Sequence, residues 1–316
     1  MTMQMPKVFI PAGGRTDVAV AAGGVENQLQ AWVRTVEAAG VDGLFVGDHV
    51  TFYGSGSDGL LQLATIAAVS TKLDLQTCVY LLALRHPTPV ALQAAMVDRL
   101  CGGRLILGVG IGGEDPNEWW ACGVDPKTRA RRTDESLQIL RSLWTQDETT
   151  FEGKHFQLRN VRMSPKPARP GGVQLHVGGR SDAALRRAAR YADAWTGIWV
   201  STRRFTQAGE IIAEEAAKAG RGGVTFERGM QFWMGIDKDK AAAREKVGGS
   251  MQAFYQLPFE AFEKYTPYGT PREIAEFIAP YIEAGCRWVN FVIADAPEAT
   301  LEHALAVRDA LRDVCK

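Results

Sequence analysis

The stretch Arg287-Trp-Val-Asn-Phe-Val-Ile293 is an apolar run with one polar residue in its middle. Such runs are typical of parallel strands that helices cover on both faces. The segment before it, residues 272–284, has apolar side chains at helical spacing, namely Ile274, Phe277, Ile278, Tyr281 and Ile282. This spacing predicts an amphipathic helix that leads into a buried parallel strand.

The same alternation of apolar run and amphipathic segment recurs along the 316 residues. The runs are residues 8–12, 43–48, 73–82, 104–110, 174–178, 193–199, 226–236 and 287–293. Eight such units at this length predict a single-domain α/β protein, a (β/α)8 TIM barrel over residues 1–316. A doubly wound open sheet is the alternative, although that fold usually has fewer strands at this length.

Two insertions interrupt the repeat, one after strand 4 and one after strand 7. Residues 147–172 predict a hairpin followed by a Pro/Gly-rich loop, and residues 237–270 predict a charged helix followed by an aromatic stretch. That stretch is either a lid over a pocket or part of an outer helix packed on the barrel.

The composition limits which classes of partner and which cellular compartment we expect for this protein. Lys plus Arg and Asp plus Glu both number 36, so the net charge is zero, which argues against nucleic acid as the main partner. The longest apolar run, residues 79–84, is too short for a membrane span. The five Cys and five His have no metal-binding spacing, and no signal-like segment opens the chain. We therefore expect a cytoplasmic protein that binds neither metal nor membrane.

In such barrels the functional residues follow the strands. Asp48 and His49 follow strand 2, and because successive strand residues point to opposite faces, one of them should enter the barrel mouth. His49 is the better candidate for moving protons near neutral pH, whereas Asp48 is more plausible as a loop anchor.

The loops after strands 4 and 5 are rich in glycine. Gly108–Gly113 matches the GxGxxG pattern of nicotinamide-binding proteins, an interpretation that requires a helix from about Gly113. Glycines also let a backbone pass close to a flat ligand. Gly178-Gly-Arg-Ser181 precedes a predicted helix and forms either an anion cradle or a simple capped turn.

Four segments taken together resemble the bacterial luciferase-like oxidoreductases, which use FMN or the deazaflavin F420. They are residues 43–49, residues 77–87, residues 96–110 with Cys122-Gly123 and Arg132–Glu135, and residues 177–181 leading to Tyr191–Trp195. The resemblance covers about residues 8–295.

The resemblance implies that the flavin ring lies at the C-terminal mouth of the barrel, with His49 beside its reactive edge. It implies a cis peptide at Cys78–Val79 that supports the ring. Gly178, Gly179 and Ser181, with Arg180, would hold the cofactor phosphate. Glu114 would be an acid and Asn117 would contact the cofactor, and we expect Asp48 and Gly110 among the cofactor-binding residues as well.

The leading hypothesis is a reduced-FMN-dependent monooxygenase that acts on a small organic substrate with O2. A separate reductase would supply the reduced flavin, and His49 would hold or deliver a proton. The alternative is an F420-dependent oxidoreductase that transfers a hydride without oxygen, with Glu114 as acid or base. A non-catalytic flavin-binding relative is a further alternative. In each case we expect a homodimer.

Overall fold

The computed structural model describes residues 4–12, 25–113 and 115–316. The strands are β1 Lys7–Pro11, β2 Gly43–Val46, β3 His49–Phe52, β4 Ser55–Ser57, β5 Asp74–Tyr80, β6 Leu105–Val109, β7 Thr149–Glu152, β8 Gln157–Val161, β9 Gln174–Gly178, β10 Ala194–Ile198, β11 Glu227–Ile236, β12 Tyr268–Gly269 and β13 Trp288–Ile293. The helices are α1 Val25–Ala38, α2 Gly59–Ala67, α3 Pro87–Leu100, α4 Pro116–Ala121, α5 Arg129–Thr145, α6 Asp182–Tyr191, α7 Thr202–Lys218, α8 Lys240–Tyr255, α9 Pro271–Glu283 and α10 Pro297–Val314. Single 3₁₀ turns occupy Leu82–Leu84, Pro126–Thr128, Phe259–Ala261 and Glu263–Tyr265.

Eight parallel strands close into a barrel in the order β1, β2, β5, β6, β9, β10, β11, β13, and β13 returns to β1. Closure is visible in two registers, Val8 opposite Val289 and Thr196 opposite Gly229. The predicted (β/α)8 barrel is therefore confirmed. The doubly wound alternative is wrong, because an open sheet would leave β10 and β11 unpaired.

The helix before the last strand illustrates how local sequence sets the fold. The Glu273 amide donates to the Thr270 side chain, and the Thr270 amide donates to the Glu273 carboxylate, so α9 begins with a capping box. Its apolar face includes Ile274 and Ile278, both fully buried against the barrel. The chain then enters β13, whose Val289 and Phe291 are also fully buried.

Three irregular segments decorate the repeat. Residues 147–172 contain the antiparallel β7–β8 hairpin, and residues 237–270 contain α8, two 3₁₀ turns and β12. A third feature was not predicted: β3 and β4 form an antiparallel hairpin directly after β2. None of the helices in the described part of the chain has both the length and the apolarity needed to cross a bilayer.

Candidate active site

A cleft of about 400 Å³ lies among the carboxyl ends of the barrel strands, within the usual size range of small-molecule sites. Every barrel strand from β2 onward, or the residues just after it, contributes to its lining; the contributors include Phe45, Cys78, Gly110, Gly178, Ile198, Gln231 and Val292. His49 and the Gly178–Gly179 turn line the same cleft. One rim therefore brings together the segments that the sequence analysis singled out separately.

His49 lies at the start of β3 and is oriented by Glu118 of α4. Its Nδ1 lies 3.2 Å and 3.3 Å from the two Glu118 carboxylate oxygens. A carboxylate only accepts hydrogen bonds, so we assign the hydrogen to Nδ1, which leaves Nε2 for a ligand in the cleft. The His49 ring also stacks on Phe52, with ring centres 4.0 Å apart.

Glu118 is the anchor of this pair, since its side chain is only 2% exposed. The Val50 and Thr51 amides donate to its Oε1 at 2.5 Å and 3.4 Å. Burial by itself would raise the pKa of Glu118, but the bonds from His49 and Val50 outweigh burial and lower that pKa. Glu118 is therefore an anion that can stabilise a positive charge on His49.

Asp48 acts as the predicted loop anchor. Its carboxylate accepts from the Gly59 amide at 3.1 Å, from the Leu81 amide at 2.9 Å, and from both terminal nitrogens of Arg85 at 2.8 Å and 2.9 Å. These donors fill the acceptor positions of a carboxylate. The Asp48 side chain has no acceptor left for a ligand, but the residue lines the cleft, so its contact with the cofactor stays a prediction that would have to use the backbone.

Val79 explains two of the cleft glycines. The Cys78–Val79 peptide is cis, as the resemblance implied. A Cβ added at Gly110 would overlap Val79 Cγ2, and one at Gly178 would come within 2.7 Å of Val79 Cγ1. Glycine is thus needed at both positions because the Val79 side chain occupies the space between β6 and β9.

The turn after β9 has the geometry of a capped helix start. Ser181 caps α6, its Oγ accepting from the Ala184 amide at 3.3 Å. The Gly179 amide donates to the Thr196 carbonyl at 3.3 Å, so this N–H is already engaged. Arg180 is exposed and lies over the Trp199 ring, with Cζ 5.6 Å from the ring centre.

The loop after β6, which is the fourth strand of the barrel, departs from two expectations. Gly110–Gly113 is not helical, and α4 begins only at Pro116, which excludes the nicotinamide interpretation of the GxGxxG match. Asn117 is exposed on α4 and does not line the cleft, so its expected contact with the cofactor stays a prediction for a part of the cofactor outside the cleft. Glu114 lies outside the described residues.

Sequence reasoning missed several residues of the cleft, and Gln231 is one of them. Its Oε1 accepts a hydrogen bond at 2.9 Å from the thiol of the predicted residue Cys78, and burial raises the pKa of Cys78 to about 12, so the thiol stays protonated. Trp199, Trp233 and Phe254 also line the cleft. The strand alternation of β11 could have placed Gln231 and Trp233 on one face, but no local signal links Glu118 to His49.

The chain belongs to the luciferase-like monooxygenase family, whose sequence model matches residues 7–287. It is 33% identical over 190 residues to the 4-hydroxyprotoasukamycin monooxygenase of Streptomyces nodosus subsp. asukaensis, covering 59% of this chain and 50% of that enzyme. The chain spans about half the length of several curated relatives that it matches.

A further relative and a solved structure are both named as F420-dependent enzymes. The F420-dependent glucose-6-phosphate dehydrogenase of Kineococcus radiotolerans is 29% identical over 281 residues, 79% of this chain and 82% of that enzyme. The structure of an F420-dependent secondary alcohol dehydrogenase superposes with a TM-score of 0.81 at 21% identity, covering 98% of this chain and all of that one. The latter likeness shows the fold alone.

The cleft fits the flat ring system that FMN and F420 share. Its lining is mainly apolar side chains and glycine backbone, which a flat ring can approach closely. Two buried polar atoms of the lining, Thr196 Oγ1 and Trp199 Nε1, have no hydrogen-bond partner among the described residues. Buried polar atoms are rarely left unpaired, so these two are suited to bond a ligand.

Proposed function

We propose that this protein is a reduced-FMN-dependent monooxygenase that inserts an oxygen atom from O2 into a small organic substrate. The observation that carries the proposal is the His49–Glu118 pair on the wall of a glycine-lined cleft at the barrel mouth. The likeness to the Streptomyces monooxygenase supports it. When bound, reduced flavin supplies the activation of oxygen.

The protein's own contribution is to position a proton and exclude water. Glu118 holds Nδ1 of His49 and stabilises the imidazolium, and Nε2 delivers or receives the proton in the cleft. Val79 and its neighbouring glycines would form the surface that holds the ring. The apolar walls limit access of water, which strengthens the charge interactions at His49.

The phosphate of the cofactor binds at the turn after β9. Arg180 supplies the charge, and the amides of residues 180 and 181 lie at the N-terminus of α6, where the helix dipole favours an anion. Gly178 and Gly179 let the backbone turn, and Gly179 has φ +126°, a conformation that side chains rarely adopt.

Riboflavin, which lacks the phosphate, separates ring binding from phosphate binding. Wild-type protein should bind FMN more tightly than riboflavin, and Arg180→Ala should weaken FMN about tenfold while leaving riboflavin unchanged. An equal loss for both ligands would show that Arg180 does not contact the phosphate.

An F420-dependent oxidoreductase is the second candidate. The Kineococcus dehydrogenase favours it, since that likeness extends over about four-fifths of both chains. In this function His49 and Glu118 would keep the same geometry, and Glu114 would act as the acid or base. A separate flavin or F420 reductase would be the partner that regenerates the reduced cofactor.

We also propose a cytoplasmic homodimer. Three apolar residues are exposed at four-residue spacing along α3, namely Leu92, Met96 and Leu100. Leu61 of α2 is a further exposed apolar residue. Exposed apolar residues at that spacing form a stripe suited to a second copy of the chain. The five free cysteines accord with a reducing compartment.

Cofactor titration tests the function directly. Reduced FMN and F420 are added separately under anaerobic conditions, and the fluorescence of the eight Trp is followed. Quenching by FMN at micromolar concentration, followed by substrate-dependent oxygen uptake on admitting air, is the expected result. Tight binding of F420 alone would replace the lead with the second candidate. Binding of neither would favour a non-catalytic relative.

A further inference from the structure

Four aromatic side chains from three separate elements form one continuous surface in the cleft, which we call the aromatic wall: Phe52, Trp233, Phe254 and Tyr255. Phe254 is its centre, with ring-centre distances of 5.1 Å to Phe52, 5.8 Å to Trp233 and 4.8 Å to Tyr255. These distances are those of favourable aromatic pairs. The wall adjoins His49, whose ring stacks on Phe52.

The aromatic wall offers no free cation to an anion, because a charge on the adjoining His49 is balanced by Glu118 and Arg180 is assigned to the cofactor phosphate. None of the described residues that line the cleft is Lys or Arg. The Asp48 carboxylate, the one acidic group of that lining, is already paired with both terminal nitrogens of Arg85. An unpaired carboxylate or phosphate against such a wall would bind weakly, because a buried charge needs a partner. The wall therefore favours uncharged ligands.

Hydrogen bonding adds a directional requirement. Trp199 Nε1 is a donor that lacks a partner among the described residues, and the Trp199 ring meets Tyr255 of the wall edge-on, with ring centres 4.9 Å apart. Thr196 Oγ1, the other unpaired atom of the cleft, is left to the cofactor ring. An indole nitrogen can only donate, so it selects a carbonyl, phenol or ether oxygen on the ligand. A ligand that stacked on the wall and offered such an oxygen would satisfy the apolar and the polar parts of the cleft together.

We propose that the substrate is an uncharged aromatic compound that bears an oxygen function and stacks on the aromatic wall beside His49. This inference rests on the proposed function, because it concerns the substrate of the same cleft. Phosphorylated sugars and aromatic carboxylates are excluded by the same charge argument. Phe254 is then a residue that determines specificity rather than a catalytic residue.

Two probes with one ring system isolate the effect of charge: 2-naphthol, which is neutral at pH 7, and 2-naphthoate, which is an anion. Glucose 6-phosphate serves as a third probe without an aromatic ring. Each is titrated calorimetrically into the full chain, with and without the cofactor that the fluorescence titration identifies. We expect 2-naphthol to bind at least about tenfold more tightly than 2-naphthoate, and glucose 6-phosphate not to bind.

Variants test the position of the probe. Phe254→Ala should weaken 2-naphthol about tenfold, because Phe254 is the centre of the wall and, at 40% exposed, tolerates truncation. Leu257→Ala is the matched control, since Leu257 follows in the same segment, is exposed and does not line the cleft. Trp233→Leu repeats the test, and circular dichroism checks that each variant is folded.

The outcomes separate the two proposals. Preferential binding of 2-naphthoate or glucose 6-phosphate, or an unchanged 2-naphthol affinity in both wall variants, overturns the inference about the substrate. If neither cofactor binds, the proposed function fails, whereas the titrations of the cofactor-free chain still decide whether the wall selects neutral aromatic compounds.

Discussion

At the scale of single residues, the chemistry of the cleft depends on a carboxylate contributed by a different strand unit. His49 follows β2, whereas Glu118 comes from α4 after β6, and the two meet within 3.3 Å. The same carboxylate binds the amides of Val50 and Thr51, so it fixes both the ring and the backbone that carries it. Glu118 is therefore a positioning residue for His49: it holds one ring nitrogen, as the carboxylate of a catalytic triad does, while the other nitrogen can react.

We expect Glu118→Gln to lower kcat by about 10- to 100-fold, because the amide can still accept from Val50 but no longer stabilises a charged His49. The loss should fall on kcat and leave KM nearly unchanged, because Glu118 does not line the cleft and acts on the reaction only through His49. Steady-state kinetics measure both constants. Glu276→Gln, an exposed change, is the control, and an unaltered kcat in Glu118→Gln would contradict the role.

Glu118 also makes stability depend on pH. Its folded pKa lies below the ordinary value of 4.5, so its ionised form stabilises the fold above about pH 4.5. That contribution disappears as the pH falls through the lowered value, because the unfolded chain takes up the proton first. The free energies of unfolding of wild type and Glu118→Gln, measured by urea titration, should therefore converge on acidification. A difference that grows towards low pH would reverse this assignment.

Gly110→Ala should destabilise the fold by roughly 1–3 kcal/mol, because its Cβ would overlap the Val79 side chain. Adding Val79→Ala removes the overlapping methyl groups, so the double variant should lose less than the sum of the two single losses. Urea denaturation measures the cycle. Gly47→Ala is the control, since nothing lies within 4 Å of its added Cβ. Strict additivity would show that Val79 is not the reason for glycine at this position.

At the scale of elements, the short helix α4 holds the β3–β4 hairpin at the barrel mouth. Besides the Glu118 contacts, Asp115 caps α4 through Oδ1 and accepts from the Tyr53 amide through Oδ2 at 3.0 Å. The hairpin carries His49 and Phe52, so these two acidic residues position a proton-transfer group and part of the aromatic wall together. The β3–β4 hairpin, which the sequence analysis did not predict, is thus held in place by residues of the segment that follows β6.

Asp115→Ala should loosen this hairpin, because one side chain supplies both the helix cap and the bond to Tyr53. We expect faster hydrogen exchange of the amides in residues 50–53 and a loss of about 1 kcal/mol for the cap. Mass spectrometry of exchanged peptides provides the measurement, with the β7–β8 hairpin as an internal reference. Unchanged exchange in residues 50–53 would mean that Glu118 alone suffices.

At the scale of the whole molecule, closure of the barrel creates the site. Residues 49 and 178 are far apart in sequence, yet they line one cleft because all eight strands are parallel and end at the same rim. The α3 stripe is an exposed apolar part of the exterior, and the proposed dimer rests on it.

Light scattering coupled to size exclusion should give a dimer for the wild-type chain and a monomer for Met96→Lys, because a charge would be buried at the centre of the stripe. Val224→Lys, an exposed loop position outside the stripe, should remain dimeric. A wild-type monomer at micromolar concentration, or a dimer that survives Met96→Lys, would rule out this surface as the interface.

Local sequence patterns sufficed to predict the eight barrel strands and the helices between them, because apolar periodicity and helix capping are local properties, but they did not predict the β3–β4 hairpin. The sequence also placed His49 and the glycines that follow β6 and β9 at the ends of strands, where barrels carry their functional sites. Tertiary contacts were needed to see that Glu118 meets His49, that the Asp48 carboxylate is already saturated, that Asn117 does not line the cleft, and that Val79 requires its glycine neighbours. These outcomes depend on distances between segments far apart in the chain, and such distances leave no periodic signal in the residues that make them.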